Sequence, residues 1–205
     1  MRRLLRRMRI DSVVCRSASC TLILALAATV AVAGSNSPLE YVDEQTGATV
    51  IAVSRPLLFA HLRSETITGP RDYVTLAAAA VDRSGKYSYM LLAYFWFVGA
   101  PEESESTRSA CPPLALQVQD GRIDLPSPPD GSARDVGIGV AVHKPPFGAT
   151  TPCAYSVDLS TMRRIAESPH PVLYSEGTSA SQQYNLFEDR LDALKELVRR
   201  LKDTS

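Results

Sequence analysis

The sequence predicts an α+β fold: a predominantly antiparallel β-sheet, sandwich-like or strongly curved, with a C-terminal helix packed on it. Three observations predict it. Short β-branched and aromatic runs fill the chain up to about Lys144. Turn-formers such as Asp82-Arg83-Ser84-Gly85 and Asp120-Gly121 separate them. Beyond Cys153 the apolar spacing changes to three and four, the period of a helix. Strands first and helices last is the order of an α+β domain.

Each element follows from its residues. Leu39–Val42 reads as a short strand, and Asp43–Gly47 as a turn. Ala48–Ser54 and Leu57–Arg63 are strands interrupted at Arg55-Pro56, where proline implies a bend or an edge. Arg71–Val81 and Lys86–Val98 form the strongest hairpin. The alanines Ala77–Ala80 favour helix in isolation, but they leave room for the bulky side chains of the facing strand. Met90–Val98 is apolar on both faces, which predicts a central strand covered on both sides. Leu114–Gln119 and Arg122–Leu125 flank Asp120-Gly121, a candidate type I′ hairpin. Val136–Lys144 alternates with period two and reads as a strand with tiny residues on its second face. Cys153–Leu159 reads as a strand, 160–167 as a short helix capped by Ser160, and Val172–Ser175 as a strand. Gly177–Gln183 is a polar linker or surface strand. The last element is an amphipathic helix over 185–203. Asn185 and Glu188 make a capping box, and Phe187, Leu191, Leu194, Val198 and Leu201 make one stripe.

The amino terminus reads as an address. Of 22 basic residues, six lie in the first 16 positions, opposed there only by Asp11. Thr21–Gly34 is then uncharged and apolar, and Ala31-Val32-Ala33 offers small residues for a signal peptidase. Fourteen residues in a helix span ~21 Å against a hydrocarbon core of ~30 Å. Residues 1–34 are therefore expected to be a cleavable export signal, with an N-terminal anchor through 21–34 as the alternative. Residues 35–205 are expected to be one exported β-rich domain, periplasmic or secreted. Val32-Ala33-Gly34-Ser35 resembles the lipobox of bacterial exported envelope proteins, with Ser35 in place of the cysteine that lipidation needs. The arginine pairs also resemble a twin-arginine signal.

From Ser35 onward there are 16 basic and 21 acidic residues, a net charge of −5. That balance, with no basic stripe, argues against nucleic acid as a partner. Cys111 and Cys153 remain after the leader, and in an oxidising compartment they predict one disulfide. It closes a separation of 42 residues and stabilises by ~4 kcal/mol at most.

No nucleotide, metalloprotease or calcium-loop motif is present, and no cofactor or metal is expected. His61, His143 and His170 lie on separate segments without ligand spacing. Glu102, Glu103 and Glu105 sit in a Ser-rich stretch that reads as a solvated loop. Tyr94 and Trp96 share one face of the aromatic strand, so they are either central core or the lining of a surface for a ligand or partner. The leading expectation is a non-enzymatic envelope module that binds an envelope protein or a small ligand. The alternatives are a small hydrolase using His143 or His61 with a serine, and a structural protein that self-associates through its C-terminal helix.

Overall fold

In the computed structural model, residues 36–63, 69–99, 111–128, 133–134, 136–146, 151–176 and 181–202 are described. The expected leader over 1–34 and the glutamates at 102, 103 and 105 lie outside them. Among the described residues ten strands and two helices follow one another: β1 (Leu39–Val42), β2 (Thr49–Ala52), β3 (Leu57–Leu62), β4 (Arg71–Arg83), β5 (Lys86–Val98), β6 (Leu114–Val118), β7 (Gly121–Leu125), β8 (Cys153–Val157), α1 (Leu159–Glu167), β9 (Val172–Glu176), β10 (Ser181–Glu188) and α2 (Leu191–Lys202). Every described pairing is antiparallel, within one sheet. The architecture is therefore α+β on a single sheet, not a two-sheet sandwich.

Strands β4 and β5 are its spine, paired from Arg71 opposite Val98 to Arg83 opposite Lys86. Ser84 (φ 56°) and Gly85 (φ 84°) make the two-residue turn, and Asp82 Oδ1 accepts the Gly85 N–H at 2.7 Å. On the other side of β4, β2 and β3 lie end to end. Thr49–Ala52 pairs with Ala79–Asp82, and Leu57–Leu62 with Arg71–Leu76. The Arg55-Pro56 break falls between them, where a proline takes no ladder hydrogen bond away. Beyond β3 the order runs β10, β9, β6, β7, and β8 flanks β5 at the far edge.

The sheet is strongly curved, because its two ends meet. Cys153 on β8 is bonded to Cys111, which leads into β6, with Cα atoms 5.5 Å apart. Beside the disulfide the Tyr155 hydroxyl donates to the Pro112 carbonyl at 2.5 Å. The predicted disulfide is thus the latch between the two ends.

Alternation assigns the faces. Leu57, Leu76, Ala78 and Leu91 face Ile165 of α1 and Leu194 of α2 around a void of about 10 Å³, too small for a ligand. Leu58, Thr75, Ala77, Ala79, Met90, Leu92 and Tyr94 lie on the opposite face. Segment 136–143 covers part of that second face: His143 packs against Tyr94, and Gly137 abuts Arg83. Strand β5 is accordingly buried on both faces over Met90–Tyr94, while Phe95–Phe97 are half-buried and Val98 is exposed.

Several elements depart from expectation. Val136–Lys144 is not a strand: Gly137 has φ 93°, and the N–H groups of Gly139 and Val140 bond a carboxylate instead of a ladder. The glycines serve close docking, since a Cβ on Gly139 would stand 2.7 Å from Gln45 Cβ. The β6–β7 turn residues are Gln119 and Asp120, and neither has the positive φ that a type I′ turn requires. Helix α1 is capped by Asp158, whose Oδ1 accepts from Thr161 N at 2.6 Å, not by Ser160. Residues 185–188 are not helical. They belong to β10, which bridges β9 and β3 and carries a bulge between Leu186 and Glu188. Helix α2 begins at Leu191, whose N–H reaches Asp189 Oδ1 at 3.1 Å. Its stripe, Leu191, Leu194, Leu197, Val198 and Leu201, is buried within the chain.

Candidate functional site

Cross-strand register brings an aromatic cluster together at one end of the second face. Leu62, Arg71 and Val98 form one transverse row, and Asn185, Ala60, Tyr73 and Trp96 the next. Tyr73 and Trp96 stack with ring centroids 4.1 Å apart and planes 11° off parallel. The Trp96 indole N–H donates to Thr75 Oγ1 at 2.9 Å, which fixes the ring on its edge. Phe187, pushed out at the β10 bulge, meets Tyr73 edge-on at 5.7 Å. The Arg71 guanidinium lies over Phe187, 5.5 Å from its centroid.

This cluster is open. Phe187 is 50% exposed, Val98 45% and Leu62 39%, with Tyr73 and Trp96 half-buried. Tyr94, two residues before Trp96 on the same face, is 1% exposed. Burial pushes its phenol up to about 12, with the N–H groups of His143 and Val142 opposing and Tyr41 reinforcing. Of the predicted pair, Trp96 belongs to the surface and Tyr94 to the core. Tyr73 was within reach of the sequence, because the Ser84-Gly85 turn sets it opposite Trp96. Phe187 was not, because its four-residue spacing from Leu191 mimics a helix.

The three histidines and the buried carboxylates lie outside this cluster. His61 Nδ1 lies 2.9 Å from the Gln183 carbonyl, and its ring leans on Tyr184. His143 packs edge-on against Tyr94; burial, then the Arg190 charge, lowers its pKa. His170 is exposed in the bend after α1. Among the described residues no hydrogen bond joins the His61 or His143 ring to a serine. Asp43 is fully buried, with four N–H donors converging on it: Gln45 (2.9 Å) and Thr46 (3.2 Å) on Oδ1, Gly139 (2.6 Å) and Val140 (2.9 Å) on Oδ2. Burial raises its pKa, but those bonds win and hold it below the usual carboxylate range. On the helix-bearing face, Asp72 is bound by Arg63 and by Gln182 at 3.0 Å, and Tyr184 donates to Gln182 at 3.0 Å. These are structural knots with filled bonding sites.

Among the described residues no group of three or more His, Cys, Asp or Glu converges as a metal site, and no helix is long and apolar enough to cross a membrane. What the cluster offers chemically is apolar and aromatic contact with one cation at its rim. No family model, no curated protein and no solved structure matches the chain.

Proposed function

We propose that this chain is an exported, non-enzymatic module of the bacterial cell envelope. It works by contact through the Trp96–Tyr73–Phe187 cluster. The observation that carries the reading is the contrast on one face: Tyr94 is sealed while Phe187, Val98 and Leu62 stay open. Exposed rings beside an arginine are the composition of contact hot spots. Export is supported by the basic and apolar leader and by a bonded Cys111–Cys153 pair, which suits an oxidising compartment.

The test is a photo-reactive amino acid at position 187, compared with the same group at exposed Arg163 on α1. Irradiation of intact cells is expected to give a discrete adduct from 187 and none from 163. Equal labelling from both positions would contradict the reading.

A further inference from the structure

A second site, which does not rest on the contact reading, lies where β10 hands over to α2. Strand β10 runs antiparallel to β3, and its last pair sets Glu188 opposite Leu58. Arg190, two residues on, therefore comes alongside Arg55-Pro56, where the chain enters β3. Backbone register thus brings two arginines together, against the repulsion of their charges.

Neither arginine is saturated by the chain itself. Among the described residues the Arg55 side chain is in no ion pair, and its hydrogen bond is a long one, 3.5 Å, to the neutral Asn36 Oδ1. Arg190 Nη2 donates to Glu188, but Arg190 Nε is, among the described residues, the one buried side-chain polar atom without a hydrogen-bond partner. Buried donors are nearly always paired, and an orphan among charged groups is a mark of a functional site. The acids that follow in sequence are occupied: Asp189 accepts the Leu191 N–H at 3.1 Å, and Asp192 faces Lys195 at 3.7 Å. Arg55, Arg190 and Glu188 together carry one excess positive charge. Its field is felt: burial, then the Arg55 charge, lowers the Arg190 pKa, and the Arg190 charge adds to burial in lowering that of His143.

We propose that Arg55 and Arg190 bind a phosphate group across their two guanidiniums. A carboxylate offers two oxygens, which a single guanidinium fork fills, whereas a phosphate offers enough for two forks that come from different segments. Arg55 is exposed and the Arg190 side chain is 25% exposed, so the ligand arrives from solvent. Arg190 turns from Glu188 onto it, and its Nε–H gains an acceptor.

The test is a calorimetric titration of inorganic phosphate into the full-length protein at low ionic strength, with acetate as the comparison anion. Phosphate is expected to saturate at one site per chain, and acetate to bind at least about tenfold more weakly. Arg55→Gln and Arg190→Gln are each expected to weaken phosphate about tenfold or more. Glu188→Gln removes the competing carboxylate and is expected to tighten phosphate severalfold, a gain that a misfolded variant cannot give. Arg122→Gln, at a guanidinium already held by Asp124 and Glu176, is expected to leave the affinity unchanged. Glycerol phosphate, titrated in parallel, separates the sources. Binding tighter than that of the inorganic ion assigns the site to a phosphate carried on a larger molecule, and binding no tighter assigns it to free phosphate. Absence of saturable phosphate binding, full affinity in the exposed-site variant Arg55→Gln, or acetate binding as tight as phosphate overturns the proposal.

Discussion

Tyr94 and Trp96 project from the same face of β5, yet the Tyr94 hydroxyl accepts the His143 backbone N–H at 3.3 Å beneath segment 136–143, whereas Trp96 lies half-buried against Tyr73. The edge of that covering segment divides the buried part of the face from its exposed part. Substitutions on its two sides therefore have opposite consequences. Phe187→Ser, on the open side, is expected to change stability by less than ~1 kcal/mol. Tyr94→Ala is expected to cost about 3–5 kcal/mol. Chemical denaturation of the two variants, followed by Trp96 emission, checks the contrast.

The covering segment hangs on Asp43. Asp43→Asn replaces one carboxylate oxygen by a donor facing N–H groups, and it is expected to cost about 2–3 kcal/mol at neutral pH. The folded-state pKa of Asp43 is depressed, so its stabilisation is present above the ordinary carboxylate value of ~3.9. It is lost as pH falls through the lower folded-state value. Denaturation midpoints measured from neutral to acid pH should fall for the parent, with a smaller acid loss in Asp43→Asn.

The latch between sheet ends makes a third prediction. Cys111→Ser with Cys153→Ser is expected to lower stability by ~4 kcal/mol at most, given a separation of 42 residues. Tyr155→Phe, which removes only the hydroxyl bond to Pro112, should cost about 1 kcal/mol. Urea unfolding of the three proteins under oxidising conditions measures both steps, and reductant should erase the difference between the parent and the double serine variant.

Helix α2 supplies the fourth. Its stripe is interior, so Leu197→Ala is expected to cost about 2–5 kcal/mol, and Leu194→Asp to abolish folding. Size-exclusion chromatography of Leu197→Ala should show no change of assembly state, as a change would assign the stripe to an interface between copies.

How much of this was legible from the residues depended on whether local and long-range demands agreed. The β4–β5 hairpin was legible because the Ser84-Gly85 turn, the flanking β-formers and the small residues opposite large ones all favour one pairing. The Cys111–Cys153 bond was legible by elimination once the leader was set aside. Val136–Lys144 misled because its alternation is real, but Gly137 and Gly139 are small so that the chain can lie against Arg83 and Gln45, not so that it can join a sheet. Residues 185–188 misled because capping and spacing are local signals, whereas β10 exists only through its distant partners β3 and β9. Half of the candidate site, Trp96 and its partner Tyr73, follows from one hairpin register. Phe187 and Arg71 join it through the β10 bulge and a strand end, which no local pattern records.

Export and the Cys111–Cys153 latch are tested together by one mass measurement. Protein recovered from fractionated cells is digested without reductant and its peptides are weighed. The expected result is envelope or extracellular material in which the peptides of Cys111 and Cys153 are joined. Cytosolic protein with both thiols free would contradict it.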